Sequence, residues 1–172
     1  MTSLLTSPKG RNRVYPGLVI MIIKGDNEMK LFKRDQIESS KKTVVCLSAE
    51  RSHLSDSQNV SQTEQLKNDL NALNIPFKSA KGCYKGEKES SFVCVSNNAN
   101  QFLDLFELGI KYKQESILTR FEDGVFLYYC NTSHIGDTRI EKIGDKIKQV
   151  PEYKALKYDA YTILNDRCYI VV

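Results

Sequence analysis

Histidine is scarce in this chain of 172 residues: His53 and His134 are its only two. Two remote imidazoles do not suggest a metal centre, and they leave few candidates for a positioned base. No CxxC pair, Walker loop, GxGxxG, HExxH or GxSxG occurs. Long apolar runs are missing too. The longest, Leu18 to Ile23, falls far short of the roughly 20 residues a membrane helix needs. Lys24 follows it at once, which argues against a secretory signal as well.

Cysteine is present but does not pair by pattern. Cys46, Cys83, Cys94, Cys130 and Cys168 are odd in number and widely spaced. Most stand in strand-like surroundings, such as Val45-Cys46-Leu47 and Val93-Cys94-Val95. They read as small core hydrophobes in a reducing compartment, the cytoplasm, rather than as a disulfide frame or a zinc site.

Strong charge of one sign is also absent from most of the chain. The formal net charge is +4, but residues 1–42 hold nine Lys/Arg against four Asp/Glu. That leaves 16 basic and 17 acidic residues for 43–172. A nucleic-acid-binding domain carries a basic face of its own, and this near-neutral body offers none. Neither a nucleic-acid nor a membrane partner is expected. With 41% apolar and 27% charged residues, the chain suits one globular domain preceded by a tail. Residues 1–42 read as a basic, flexible extension, unpatterned over 1–17, with a short strand pair in 18–34 around Gly25-Asp26-Asn27. The domain reads as 43–172.

What is there has a clear order. Thr43-Val44-Val45-Cys46-Leu47 is a β-branched, apolar strand. After a polar loop, Ser61 and Glu64 form a capping box for a helix whose stripe is Leu66, Leu70 and Leu73. Asn74 and Pro76 end it. A second strand spans 75–83, a Gly- and Lys-rich loop 85–88, and a third strand Phe92 to Val95. Asn97 and Asn98 cap a helix over about 99–112, with Phe102, Leu105 and Phe106 on its apolar face. Ser116 to Phe121 and Val125 to Cys130 are strands around a turn at 122–124. Residues 131–158 are a polar excursion without a clear pattern. Ala160 to Leu164 and Arg167 to Val171 form a hairpin about Asn165-Asp166.

From Thr43 the order is β-α-β-β-α-β plus extra strands. This predicts an α+β fold of the ferredoxin-like class: an antiparallel sheet, both helices on one face, and a C-terminal hairpin. The strands are apolar at successive positions, so the face without helices needs a cover. The hairpin is too small to supply it all. Identical copies in a closed ring supply the rest, so an oligomer, a trimer first of all, is expected.

Three stretches together resemble a known family. They are Ser48-Ala49-Glu50-Arg51-Ser52-His53-Leu54-Ser55-Asp56 with Asn59 and Ser61, then Gly82-Cys83-Tyr84 with Glu89 ahead of an apolar strand, then Gln114-Glu115-Ser116-Ile117-Leu118. The hairpin after Gln149-Val150-Pro151 also fits. Over roughly 43–172 the chain is similar to the phage S-adenosylmethionine lyases, formerly called hydrolases. The resemblance implies a homotrimer like the PII signalling proteins, with sites between subunits. It implies cleavage of S-adenosylmethionine to 5′-methylthioadenosine and homoserine lactone without metal or organic cofactor. It further implies a phage protein that depletes the host cytoplasm of this substrate and so blunts methylation-dependent defence.

The resemblance makes Glu89 and Tyr84 the catalytic candidates. Glu89 would accept from the substrate ammonium, and the Tyr84 hydroxyl or ring face would orient the sulfonium. The loop before Glu89 is short, so Glu87 is the alternative carboxylate. Substrate-binding candidates are Ser48, Arg51 and Asn59, with Gln114 and Glu115 for ribose or adenine. Plainer roles stand beside these: Arg51 paired with Asp56, Asn59 as a turn residue, Tyr84 packed at a strand end, and Glu89 solvated at a strand entry. Two other functions stay open, a PII-like trimer that only senses an adenosine ligand and a phage protein that inhibits a host protein by surface contact.

Overall fold

The computed structural model describes residues 19–20, 31–32, 42–84, 86–130 and 140–172. The expected leader over 1–17, the turn at Gly25-Asp26-Asn27 and His134 lie outside them. Strands β1 (Val19–Ile20) and β2 (Leu31–Phe32) pair antiparallel, as the reading of 18–34 expects. The body then runs β3 (Thr43–Ser48), α1 (Asp56–Ala72), β4 (Phe77–Tyr84), β5 (Glu87–Ser96), α2 (Ala99–Lys111), β6 (Ser116–Phe121) and β7 (Gly124–Tyr129). After residues 131–139 come β8 (Ile140–Gly144), β9 (Ile147–Val150), α3 (Glu152–Ala155), β10 (Ala160–Leu164) and β11 (Arg167–Val171).

The nine strands β3–β11 form one sheet in the order β8-β7-β6-β3-β5-β4-β10-β11-β9. Every pairing is antiparallel. The fold is therefore α+β, with a much larger sheet than the sequence suggests. The C-terminal hairpin extends this sheet beyond β4 rather than covering a face. The segment Ile140–Val150 bonds to both ends of the sheet, its first half to β7 and its second to β11. Around its midpoint, the Asp145 and Lys146 N–H groups donate to the Val172 carbonyl at 2.8 and 3.0 Å. The sheet thus nearly closes on itself, in a barrel-like way.

Residues opposite one another in antiparallel strands share a face. One face, Val45 with Cys94 and Leu47 with Phe92, carries the main core. Leu66 and Leu70 of α1 and Phe102, Leu105 and Phe106 of α2 pack there against Ile117, Phe121 and Tyr128. Each such side chain, fully buried, contributes about 1.5–3 kcal/mol. Under α3, the smaller cluster of Cys83, Ala155, Tyr161, Cys168 and Ile170 continues the packing beneath β10 and β11. The two long helices are joined by Asp69, whose carboxylate accepts from the Tyr112 hydroxyl at 2.6 Å and pairs with Lys111 at 2.5 Å. The other face carries Val44, Val93, Val95, Leu118 and Leu127, all only half-buried.

The expected cap of the first helix is corrected. Ser55 is the N-cap, and Ser55 and Gln58 form the capping box, so Ser61 and Glu64 lie inside α1. The sequence holds two such boxes in succession, and the earlier one starts the helix. At the other end, Asn74 takes a left-handed φ of 53°, as the stop signal suggests. The loop expected at 85–88 is also corrected. β4 and β5 run on to Tyr84 and Glu87, with Gly86 at φ 85° supplying a tight turn.

Candidate active site

The strand register brings a set of small and polar side chains together on the face without helices. Ser48 lies opposite Ser91, Ser91 opposite Ala80, and Glu89 opposite Gly82. Thr162 of β10 lies on the far side of Gly82. Two residues further along, Tyr84 is flanked by Glu87 and Ala160. Glu89 therefore sits two residues inside β5, not at a strand entry as the sequence suggested. Its side chain leans over Gly82, where a Cβ atom would stand 3.3 Å from both Cγ and Oε1 of Glu89. An added Cβ would press this carboxyl a few tenths of an ångström away from the sheet.

The electrostatics follow from that position. Glu89 is solvent-exposed as a residue, yet burial of its carboxyl raises the pKa above the usual carboxylate value. Nearby Glu50 pushes in the same direction, and the neighbouring Ser48 hydroxyl opposes both. Cys46 is its neighbour on the floor. Burial pushes that thiol up to about 11. The neighbouring Ser91 and Thr162 hydroxyls lower it, and Glu89 raises it further. Cys46 is thus a neutral, polarisable thiol at physiological pH.

The rim is the loop after β3. Ser48 Oγ donates to the Ser90 carbonyl at 2.7 Å and accepts from the Glu50 N–H at 3.0 Å. Asn59, in the first turn of α1, holds Arg51 from both sides: its Oδ1 accepts from the Arg51 N–H at 2.9 Å and its Nδ2 donates to the Arg51 carbonyl at 3.1 Å. The Arg51 guanidinium donates to the Lys113 carbonyl at 2.7 Å. The alternative pairing of Arg51 with Asp56 is thereby corrected. Lys113, at φ 53°, ends α2 and leaves its carbonyl free of the helix to accept. Gln114 Nε2 donates to the Glu50 carbonyl at 3.2 Å.

Ser48, Arg51, Asn59 and Gln114 thus form one hydrogen-bonded cluster, and Ser48 fastens it to the Ser90 carbonyl, next to Glu89. Two candidates stand apart from that cluster. Tyr84, 61% exposed, stands at the strand end beside Glu87. Glu115 is exposed, and its charge is felt at Tyr129. There a hydrogen bond to Glu141 pushes the phenol up to about 12. Between the two carboxylates on β5, Glu89 has the built surroundings, while Glu87 is exposed beside the turn. Sequence reasoning missed Glu50, Cys46, Gly82, Ser91 and Thr162 as neighbours of Glu89. Strand alternation would have put Cys46 and Ser91 on its face, had the register been known.

A cleft of about 880 Å³ lies elsewhere, between α1 and the β9–β11 region, with Lys67, Lys81, Lys88 and Glu152 among its lining residues. It opens on the helical face, across the sheet from Glu89. Size alone does not make it the site, because Ser48, Glu89 and Cys46 converge on the opposite face.

An α+β enzyme with one carboxylate set into a sheet floor is the class these features define. The sequence profile of the S-Adenosylmethionine lyase family matches residues 45–172, and the chain belongs to that family. It is an enzyme, a lyase acting on S-adenosylmethionine. No curated protein matches the chain.

Proposed function

We propose that this enzyme converts S-adenosylmethionine to 5′-methylthioadenosine and L-homoserine lactone. The substrate's own carboxylate oxygen attacks its γ-carbon as the bond from that carbon to sulfur breaks. The electron pair leaves with sulfur, which departs as a neutral thioether. No proton has to be delivered, and the ammonium is carried through unchanged. The enzyme then has two tasks, to fold the aminobutyryl chain into the attack conformer and to keep water away while two charges annihilate.

The observation that carries this reading is the setting of Glu89. Its carboxylate lies on a floor of Gly82, Ser91, Cys46 and Thr162, suited to accept from the substrate ammonium and fix the chain. Tyr84, at the open end of the same face, presents a ring face to the sulfonium. Ser48, Arg51, Asn59 and Gln114 shape the rim on which the adenosine part rests, with Glu115 at its edge.

The four strands β6-β3-β5-β4 follow the order of a split βαβ, or ferredoxin-like, unit. We read the fold as an elaboration of that unit. The half-buried apolar face supports assembly as a homotrimer with sites near the subunit boundaries. In a phage-infected cell, the reaction would deplete cytoplasmic S-adenosylmethionine. Residues 1–42 are outside the catalytic domain in this reading.

The test is a reaction in isotopically labelled water, quenched early. Homoserine lactone free of label at the γ-carbon–oxygen bond is expected. Homoserine labelled at that bond, with no lactone, would identify a hydrolase and defeat the proposal.

A further inference from the structure

Glu50 plays no part in the mechanism above, yet its placement is tightly fixed. It is half-buried in the loop after β3. Its N–H donates to Ser48 Oγ and its carbonyl accepts from Gln114 Nε2. Ser48 Oγ also donates to the carbonyl of Ser90, the residue after Glu89. One hydroxyl therefore ties the Glu50 backbone to that of Ser90, next to Glu89. The Glu50 carboxylate itself has no hydrogen-bond or ion-pair partner among the described residues. The charge of Glu50 is felt at Glu89, and two such carboxylates repel unless a cation lies between them.

A second observation points to a ligand independently. Ser91 is 3% exposed, and its Oγ is buried without a hydrogen-bond partner. That oxygen stands 3.7 Å from the point above Gly82 that lies 3.3 Å from Glu89 Oε1. Buried hydroxyls without partners are uncommon in folded proteins and call for an explanation. Here the hydroxyl faces the place where the Glu89 carboxyl rests.

Resting on the reading of the preceding subsection, we infer that Glu50 is a second substrate-binding carboxylate, and that Glu50 and Glu89, with Ser91 beneath Glu89, recognise the two cationic groups of a sulfonium amino acid. Glu89 takes the ammonium and Glu50 faces the sulfonium. The assignment makes Glu50 a specificity residue. It favours the charged sulfur of the substrate over a neutral thioether. When the carbon–sulfur bond breaks, the sulfur becomes neutral and Glu50 loses its partner. The restored repulsion between the carboxylates then favours release of 5′-methylthioadenosine.

The test compares full-length wild-type protein with Glu50→Gln by calorimetric titration against two uncleaved analogues. Sinefungin carries an ammonium where the substrate has its sulfonium, and S-adenosylhomocysteine carries a neutral thioether. The Glu50 side chain makes none of the loop's hydrogen bonds, so the variant keeps the loop. Wild type should prefer sinefungin. Glu50→Gln should bind sinefungin about tenfold more weakly and S-adenosylhomocysteine within about twofold of wild type. With S-adenosylmethionine, KM should rise while kcat holds. Equal losses for both analogues, or no loss for either, would overturn the assignment. If wild type cleaves S-adenosylmethionine in either of those cases, the function stands and only the role of Glu50 falls. Wild type that binds neither analogue and forms no 5′-methylthioadenosine removes both.

Discussion

Glu89 owes its character to residues that carry no charge. Gly82 lets its carboxyl lie against the sheet, the Ser48 hydroxyl stands beside it, and Cys46 and Ser91 fill the floor below. Glu89→Gln keeps the size and removes the charge that would hold an ammonium. Losing that orientation can cost about 10²-fold in rate, so turnover should fall by at least that factor with the circular dichroism spectrum unchanged. Near-normal turnover would pass the role to Glu87. The raised carboxyl pKa sets a pH dependence of known sign. Binding the ammonium needs the ionised form, so kcat/KM should fall as pH drops through a midpoint above the ordinary carboxylate range. For stability the native state holds this proton more tightly than the unfolded chain does. Stability therefore declines as pH rises from the unfolded pKa through the folded one. The effect is small because Glu89 is exposed, but its direction is clear: Glu89→Gln at neutral pH should hold or raise Tm while removing activity.

At the scale of elements, α2 is seated by a residue chosen for its smallness. A Cβ on Gly109 would stand 2.8 Å from Cys130 Sγ and 2.9 Å from Ile117 Cγ2. Gly109→Ala should therefore destabilise the fold by about 1–3 kcal/mol through overpacking, read as a Tm several degrees lower in scanning calorimetry. An unchanged Tm would mean that helix and sheet shift apart freely. This helix was legible in the sequence because Phe102, Leu105 and Phe106 recur at helical spacing and Asn98 caps the first turn. The C-terminal hairpin was equally legible, with Asn165 and Asp166 both taking the positive φ that such a turn demands. α1 was harder. It buries only Leu66 and Leu70, so periodicity could not choose between two serine boxes. β8 and β9 have exposed interiors and show no apolar run, so the chain over 140–150 looked unstructured. The first half of β5, Glu87 to Ser90, is polar on both faces and owes its strand form to pairing with β4. For the same reason the partners of Glu89 were hidden. Loop candidates such as Arg51 and Asn59 stood out by residue type, but Ser91 and Gly82 gain meaning only from register.

For the molecule as a whole, the half-buried face of Val44, Val93, Val95, Leu118 and Leu127 is where copies of the chain would meet. Leu118→Glu places a charge in the middle of that face, between Cys46 of β3 and Leu127 of β7. Burying an unpaired carboxylate in an interface is strongly unfavourable. Light scattering should report a trimer for wild type and a monomer for the variant, with activity lost in parallel if subunits share sites. Wild type that is monomeric at working concentration, or a variant that assembles normally, would refute the trimer. The near-closure of the sheet bears on the life of such a protein during rapid synthesis. Unpaired strand edges are where newly made chains stick to one another and to foreign strands. With Ile140–Gly144 held by β7 and Ile147–Val150 by β11, the open edges of this sheet are cut down to one flank each of a five-residue and a four-residue strand. Copies at high concentration then meet more readily through side chains, face to face, than strand to strand.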